Sequence, residues 1–200
     1  MKKMNGKGFT LIELLAVITI MGILMLVAIP AVSRTIENSR RDTFADVAKE
    51  YINTVRNAVL ADELECGSGT DKTSVGATGD GTYYFQIKTS GNDNIATQTK
   101  DIMESGGLSS WSNADVAGYV QWIKSTTTPS GSTDQKVTTS YSILLVDAGA
   151  HGIENKVTSE GSTTYGPVDE KSISRAKVAT KTDKKATDAL VGTGTPCTLK

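Results

Sequence analysis

The spacing of apolar residues changes twice along the chain. From Phe9 to Ile29 they run almost without a break, 21 residues in which Glu13 is the single charge. After Pro30 they recur at three- and four-residue steps, in Val32, Ile36, Phe44, Val47, Tyr51, Ile52, Val55, Val59 and Leu64. Arg34, Glu37, Arg40, Arg41, Asp42, Asp46, Lys49, Glu50, Arg56 and Asp62 fill the positions between. Beyond Cys66 short alternating runs lie between stretches rich in Gly, Ser and Thr. The first pattern predicts a transmembrane helix over 9–29. At 1.5 Å per residue it covers about 31 Å, and a hydrocarbon core is about 30 Å thick. The second predicts an amphipathic continuation of that helix over 30–66, stopped by Gly67-Ser68-Gly69. The third predicts a globular β-rich head over 67–200.

Within the head, Thr82–Lys88, Val116–Lys124 and Val137–Asp147 read as strands, with His151–Val157 a fourth. Asn92–Ser105 has a weak helical period ended by Gly106-Gly107, and Ser125–Gln135 reads as a turn or long hairpin loop. Three or four antiparallel strands with one apolar face need a partner. The stripe at residues 44 to 64 supplies it. The expected class is therefore α+β, a long N-terminal helix packed on a small antiparallel sheet. From Thr158 to Lys200 hydrophobicity falls into a polar C-terminal region, in which Lys171–Lys185 reads as a solvated short helix or tail.

Candidate chemistry changes this picture little. One histidine among 200 residues removes most His-based metal and triad sites. There is no phosphate-cradling glycine loop and no Cys/His cluster. Asp147 and His151 read as flanking a turn, since no nucleophile elbow accompanies them. Gly79-Asp80-Gly81 lacks the regular acidic spacing of a calcium loop. Trp111 and Trp122 read as core or sheet-face residues. No enzyme activity, cofactor or metal is expected. Lys171, Arg175, Lys177, Lys181, Lys184 and Lys185 form a modest basic stretch with Asp169, Glu170 and Asp183 close by. No aromatic interleaves it to stack bases, so DNA binding is not supported.

The charge in the apolar run calls for an explanation. A carboxylate inside hydrocarbon costs at least about 2.5 to 3.5 kcal/mol. Lys2, Lys3 and Lys7 precede the run with no acid among them, which holds that end in the cytoplasm and sends the chain after Pro30 outside. Pro30-Ala31-Val32-Ser33 is a poor match to an ordinary cleavage site. The small residue placed for cleavage is Gly8, before the run, so a cut there leaves the apolar helix on the mature chain. Without Lys2, Lys3 and Lys7 the 21 basic side chains become 18 against 22 acidic, a formal charge of −4. A mildly acidic chain is not a general nucleic-acid binder.

Lys7-Gly8-Phe9-Thr10-Leu11-Ile12-Glu13 resembles the class III leader junction of type IV pilins and pseudopilins, with a looser likeness of the head to Gram-positive type IV pilins. The resemblance implies cleavage between Gly8 and Phe9 by a membrane aspartyl prepilin peptidase, N-methylation of Phe9, and a leader of residues 1–8. Glu13, Gly22 and Pro30 stand where the family has its glutamate, a glycine and its proline. The new Phe9 amine and Glu13 are opposite charges in lipid. Staggered subunits can pair them, which removes both desolvation penalties and fixes the register. A plain signal anchor with Glu13 near the headgroups is the simpler alternative. Pro30 should kink the helix, with Gly22 a second weak point. The resemblance implies that this stretch can unwind on assembly. The basic trio Arg34, Arg40 and Arg41 is either a solvated face or a set of inter-subunit contacts.

The implied function is a type IV pilus subunit in adhesion, motility or surface attachment. Its partners are the lipid bilayer before assembly, the peptidase, the membrane platform of the assembly machine, minor pilins and copies of itself. It starts as a single-pass membrane protein and ends in an extracellular filament. A pseudopilin of a type II secretion or DNA-uptake machine is the runner-up. A single-pass adhesin that never polymerises is the alternative of another class. Cys66 and Cys197 both lie in the exported part, as one bridge or two free thiols. A bridge would close a loop of about 130 residues, worth roughly 4 to 5 kcal/mol by chain entropy. Pilins often carry a C-terminal disulfide loop, although the spacing here is wider than their usual short one.

Overall fold

The computed structural model describes residues 9–91, 93–103, 107–111, 114–131, 133–159, 162–182, 184 and 190–200. The predicted leader, 1–8, lies outside them, and so do Asn92, Ser105, Gly106, Asp183 and Lys185. Helix α1 is Leu11–Leu60. Contacts divide the chain into two compact units, one ending at Ser39 and one running from Arg40 to Lys200.

In the second unit, α1 buries Phe44, Ala45, Ala48, Tyr51, Ile52, Val55 and Ala58. These recur at three- and four-residue steps and make one stripe. The stripe packs on a sheet of strands β1 (Leu64–Ser68), β2 (Asp71–Ser74), β3 (Gly81–Lys88), β4 (Val116–Thr127), β5 (Lys136–Asp147), β6 (Gly152–Ile153), β9 (Val168–Asp169), β10 (Val178–Ala179) and β11 (Thr195–Leu199), all of which except β2 contribute buried residues to the core. They form a nine-stranded sheet ordered β10-β6-β5-β4-β3-β11-β1-β2, with β9 also on β5. Strands β7 (Asn155–Ser159) and β8 (Ser162–Gly166) make a separate hairpin, and helix α2 is Asn94–Ile102.

The α+β architecture stands, and the sheet is larger than three or four strands and mixed. Strand β11 runs parallel to β3, with Cys197 beside Phe85. It runs antiparallel to β1, with Cys197 opposite Cys66 and Leu199 opposite Leu64. The expected polar tail thus contains a strand in the middle of the sheet. Its few apolar residues are placed where they suffice. Ile173, Val178 and Cys197 join the main core. Leu190 and Tyr165 join a small cluster with Ala117, Tyr119, Leu144 and Val146 on the opposite face of the sheet. Cover on both faces also explains the unbroken apolar run Ile143-Leu144-Leu145-Val146 in β5.

Three other boundaries move. The helix ends at Leu60 and Cys66 lies in β1, because Asp62 takes a left-handed φ of 58°. The N–H of Glu63 donates to the Ala58 carbonyl at 2.9 Å and that of Asp62 to Val59 at 3.3 Å. This pair of bonds is a Schellman stop, built on Asp rather than Gly. The predicted loop at 125–135 begins after Thr127, since Ser125–Thr127 pair with Lys136–Thr138. The strand expected over His151–Val157 splits into β6 and β7 around Glu154.

The Asp62 carboxylate then ties the helix end to both neighbouring segments. It accepts from Ser74 Oγ, from the Gly76 N–H at 2.8 Å, and from Lys200 Nζ at 2.8 Å. These donors, the Lys200 ammonium first, hold its pKa well below the usual carboxylate range. Hydrogen bonds from Thr126 lower Asp80, and those from Lys88 and the Ala96 N–H lower Asp93. Asp80 therefore caps Thr126 in β4, where a calcium loop had been the alternative.

Two measurements test this packing. Phe85→Ala empties the centre of the helix–sheet core and should cost about 3–5 kcal/mol of unfolding free energy by chemical denaturation. A carboxylate whose folded pKa is depressed binds protons better in the unfolded chain. It adds stability above its unfolded pKa, near 4, and loses it as pH falls through the lower folded value. Denaturant midpoints should therefore drop as pH falls below about 4, and Asp62→Asn should flatten that drop.

Candidate functional site: the N-terminal apolar segment

The first unit contains the start of α1. Its most apolar window has a mean hydropathy of 2.7, and none of it is buried. Phe9, Leu11, Ile12, Leu14, Leu15, Ile18, Ile23, Leu26 and Ile29 are all exposed, Phe9 at 89% and Leu26 at 76%. They cover the helix on every side. A helix apolar all round is a buried element whose cover is lipid or other protein.

Thr10 and Glu13 open this helix together. The Thr10 N–H donates to Glu13 Oε2 at 2.8 Å and the Thr10 hydroxyl to the same oxygen at 2.7 Å. The Glu13 N–H in turn donates to Thr10 Oγ1 at 3.3 Å. This is a capping box, which satisfies backbone donors that the first turn of any helix leaves unpaired. Its Thr-x-x-Glu signature is legible in the sequence. Reading Glu13 only as an unpaired charge missed Thr10. Other hydroxyls in the segment are satisfied locally, as apolar surroundings require. Thr19 donates to the Ala16 carbonyl at 2.9 Å, Ser33 to Ile29 at 3.0 Å and Thr35 to Ala31 at 3.1 Å.

Gly22 and Pro30 both lie inside the helix. A Cβ built on Gly22 meets nothing within 4 Å, so packing within this chain does not demand glycine there. Pro30 has no N–H, which leaves the Leu26 carbonyl without its usual i+4 donor. Gly8 lies outside the described residues, and Phe9 stands just ahead of the capping box.

The other candidates lie in the second unit. Cys66 and Cys197 are joined in a disulfide across the β1–β11 pair, with Cα atoms 4.1 Å apart. Asp147 is fully buried. It accepts from Ser109 Oγ at 2.6 Å and the His151 N–H at 2.7 Å, and lies 2.9 Å from His151 Nδ1. Ser109 contacts the carboxylate and not the imidazole, so the group lacks the nucleophile–base contact of a triad. It is a clasp. Trp111 stacks on His151 at 4.2 Å and meets Phe44 edge-on at 5.8 Å, while Ser110 donates to the Arg40 carbonyl. Trp122 is buried between Tyr83 and Tyr141, and Arg56 lies over the Tyr141 ring. Arg175, from the basic stretch, is bound to Asp42 through Nε at 2.7 Å and Nη2 at 2.5 Å. No group of metal-ligating side chains occurs among the described residues.

Removal of the cap gives a local test. Thr10→Val keeps the shape and deletes the hydroxyl, which should weaken the first turn by about 1 kcal/mol. Faster amide exchange at residues 11–14 in micelles, with unchanged exchange in the sheet, is the expected result.

Residues 3–29 match the model of the prokaryotic N-terminal methylation motif. The N-terminal segment is thus a class III, prepilin-type leader and the apolar helix that follows it. No curated protein and no solved structure matches the chain.

Proposed function

We propose that this type IV pilin-like protein is a structural, non-enzymatic subunit of a type IV pilus. One observation carries the reading. An all-round apolar helix, exposed along its whole first part, follows a methylation motif and holds one carboxylate near its start. Prepilin peptidase cuts after Gly8 and methylates the new amine of Phe9. Residues 9–29 hold the subunit in the cytoplasmic membrane. On assembly the platform lifts the helix out of lipid and into a bundle of the same helices from other copies and from minor subunits. The apolar cover changes from acyl chains to protein, and the second unit is displayed at the cell surface.

Glu13 makes that transfer selective. In the single chain its carboxylate is shared with Thr10. A carboxylate can accept about four hydrogen bonds, so the cap leaves capacity for a second partner. The Phe9 amine of a neighbouring subunit is a cation at nearly the same depth. Pairing the two inside a helix bundle removes two isolated charges and favours one axial stagger. Gly22 and Pro30 are the places where the helix can open as it enters the filament.

The mature N-terminus decides the first step. Mass spectrometry should find the chain beginning at a methylated Phe9. A chain that retains Met1, or is cut after residue 30, overturns the reading. Glu13→Ala should still insert and be processed, yet yield few filaments in sheared fractions. Wild-type filament yield from that variant would remove Glu13 from assembly.

A further inference from the structure

Strand β3 has two faces. Tyr83, Phe85 and Ile87 enter the core against α1, and Tyr84, Gln86 and Lys88 alternate with them on the other side. There they floor a cleft of about 730 Å³. Pro196 of β11 lies beside Tyr84, and Ala117 of β4 beside Lys88. Small-molecule sites span about 300–1,000 Å³. Helix α2 makes one wall with Ile95 and Gln98, and Leu190–Val191 makes the other. Both walls are tied to the floor. The Lys88 N–H donates to Thr99 Oγ1 at 3.0 Å, which holds α2. The Gln86 amide donates to the Leu190 carbonyl and, at 2.8 Å, to that of Gly118. Gly192 lies against the Tyr84 ring, where a Cβ would meet Cγ at 2.5 Å. The cleft is built from fixed elements, so a ligand meets little ordering cost.

Its polar groups are largely unspent. The Tyr84 and Ser90 hydroxyls and the Gln98 amide make no hydrogen bond among the described residues. Gln86 uses its N–H groups and keeps Oε1. Asp115 accepts from Thr89 Oγ1 at 3.3 Å and keeps its second oxygen. Elsewhere in this unit Asp62 and Asp147 spend both oxygens on donors of their own chain. The apolar lining is open too. Ile95 is 37% exposed and Val191 62%, one on each wall. Of the charged residues that line the cleft, Lys88 is paired with Asp93, and Asp115 has no cationic partner among the described residues.

An apolar ligand would bury these groups unpaired, at a cost. A simple cation would satisfy Asp115 and leave the donors of Tyr84, Ser90 and Gln98 without acceptors. An anion would face the Asp115 carboxylate. A hydroxyl both donates and accepts, as three of the five groups do, and it donates well to a carboxylate oxygen. A sugar ring adds apolar C–H faces that fit Tyr84, Pro196 and the two wall residues. We infer that the cleft binds an uncharged saccharide. Its ring lies against Tyr84 and Pro196, and its hydroxyls are shared among Gln86, Gln98 and Asp115. This goes beyond the pilus-subunit reading and does not depend on it.

The test uses the full chain in lipid nanodiscs, free of sugar-based detergent, on an array of neutral, amino and acidic glycans. Neutral glycans should be retained. Saturation-transfer NMR with glucose, galactose and N-acetylglucosamine should then show contact through the ring C–H protons of at least one of them. Asp115→Asn and Gln98→Ala should each weaken binding about tenfold, with denaturant midpoints near wild type. Thr138→Ala, outside the cleft, should leave binding unchanged. Retention of no glycan, retention of acidic glycans alone, or wild-type affinity in both cleft variants overturns the inference. Should Asp115→Asn fail to fold, Gln98→Ala decides, since that side chain makes no hydrogen bond in the free protein. None of these results touches the pilus reading, which is tested by the mature N-terminus and by filament yield.

Discussion

A helix whose apolar side chains face outward in every direction cannot bury them against its own chain. Residues 9–29 are in that position, and the rest of the protein is arranged around the consequence. Their cover must come from outside, first from lipid and then, in the reading proposed above, from copies of the same helix. Twenty or so apolar residues provide attraction without direction, because hydrocarbon and neighbouring leucines are nearly equivalent surroundings. In that reading direction comes from Glu13. One carboxylate near the start of such a helix has few places to go, and the local answer is Thr10. The capping box keeps the first turn formed and, in the reading proposed above, holds the charge that assembly uses.

The second unit solves a different problem. It has a core of its own, in which Phe44, Tyr51, Phe85 and Trp122 are the largest buried side chains. Its solution is to use α1 as a wall and to close the sheet with the last residues of the chain. Strand β11 sits between β1 and β3, so without it the β1–β2 pair would have no hydrogen-bonded link to the other strands of that sheet. The Cys66–Cys197 bond, the backbone bond from Lys200 N–H to the Glu63 carbonyl, and the Lys200–Asp62 pair all lie on this closure. The sheet is completed only when residues 195–200 are in place.

What could be read from the sequence follows the strength of each local signal. The apolar run, the stripe from Phe44 to Ala58 and the alternation in Thr82–Lys88 are periodic and long, and they appear where expected. The helix stop was misplaced because Gly67-Ser68-Gly69 is a strong signal and Asp62 a weak one. A left-handed Asp is uncommon, and what favours it here is a set of partners distant in sequence, Ser74, Gly76 and Lys200. The C-terminal strands were unreadable for a related reason. Thr195-Pro196-Cys197-Thr198-Leu199 has too few apolar residues to announce a central strand. Its place is set by neighbours on both sides, β1 and β3, more than a hundred residues earlier. The Thr10 cap was legible in its Thr-x-x-Glu spacing, but attention to the charge of Glu13 concealed the simpler backbone role.

The proposed function requires one chain to be first a membrane protein and then a polymer subunit. The two units meet separate demands with separate chemistry. The apolar segment carries almost no specificity beyond one charge, so it can exchange lipid for protein without rebuilding contacts. The second unit carries its specificity in polar clasps and in strand order. Asp147 with Ser109 and His151 fixes the loop that bears Trp111 against Phe44. Asp62 fixes the helix end, and Asp80 the end of β4 at Thr126. Each clasp joins segments distant in sequence, and each is made by one carboxylate accepting two or more donors. Asp147 is buried, and a buried carboxylate costs free energy unless its donors are in place, so that clasp penalises near-native arrangements as well as favouring the native one. In the proposed filament the same surface is displayed in many copies and must be the same in each. Polar clasps provide that uniformity in a way that an apolar core alone does not.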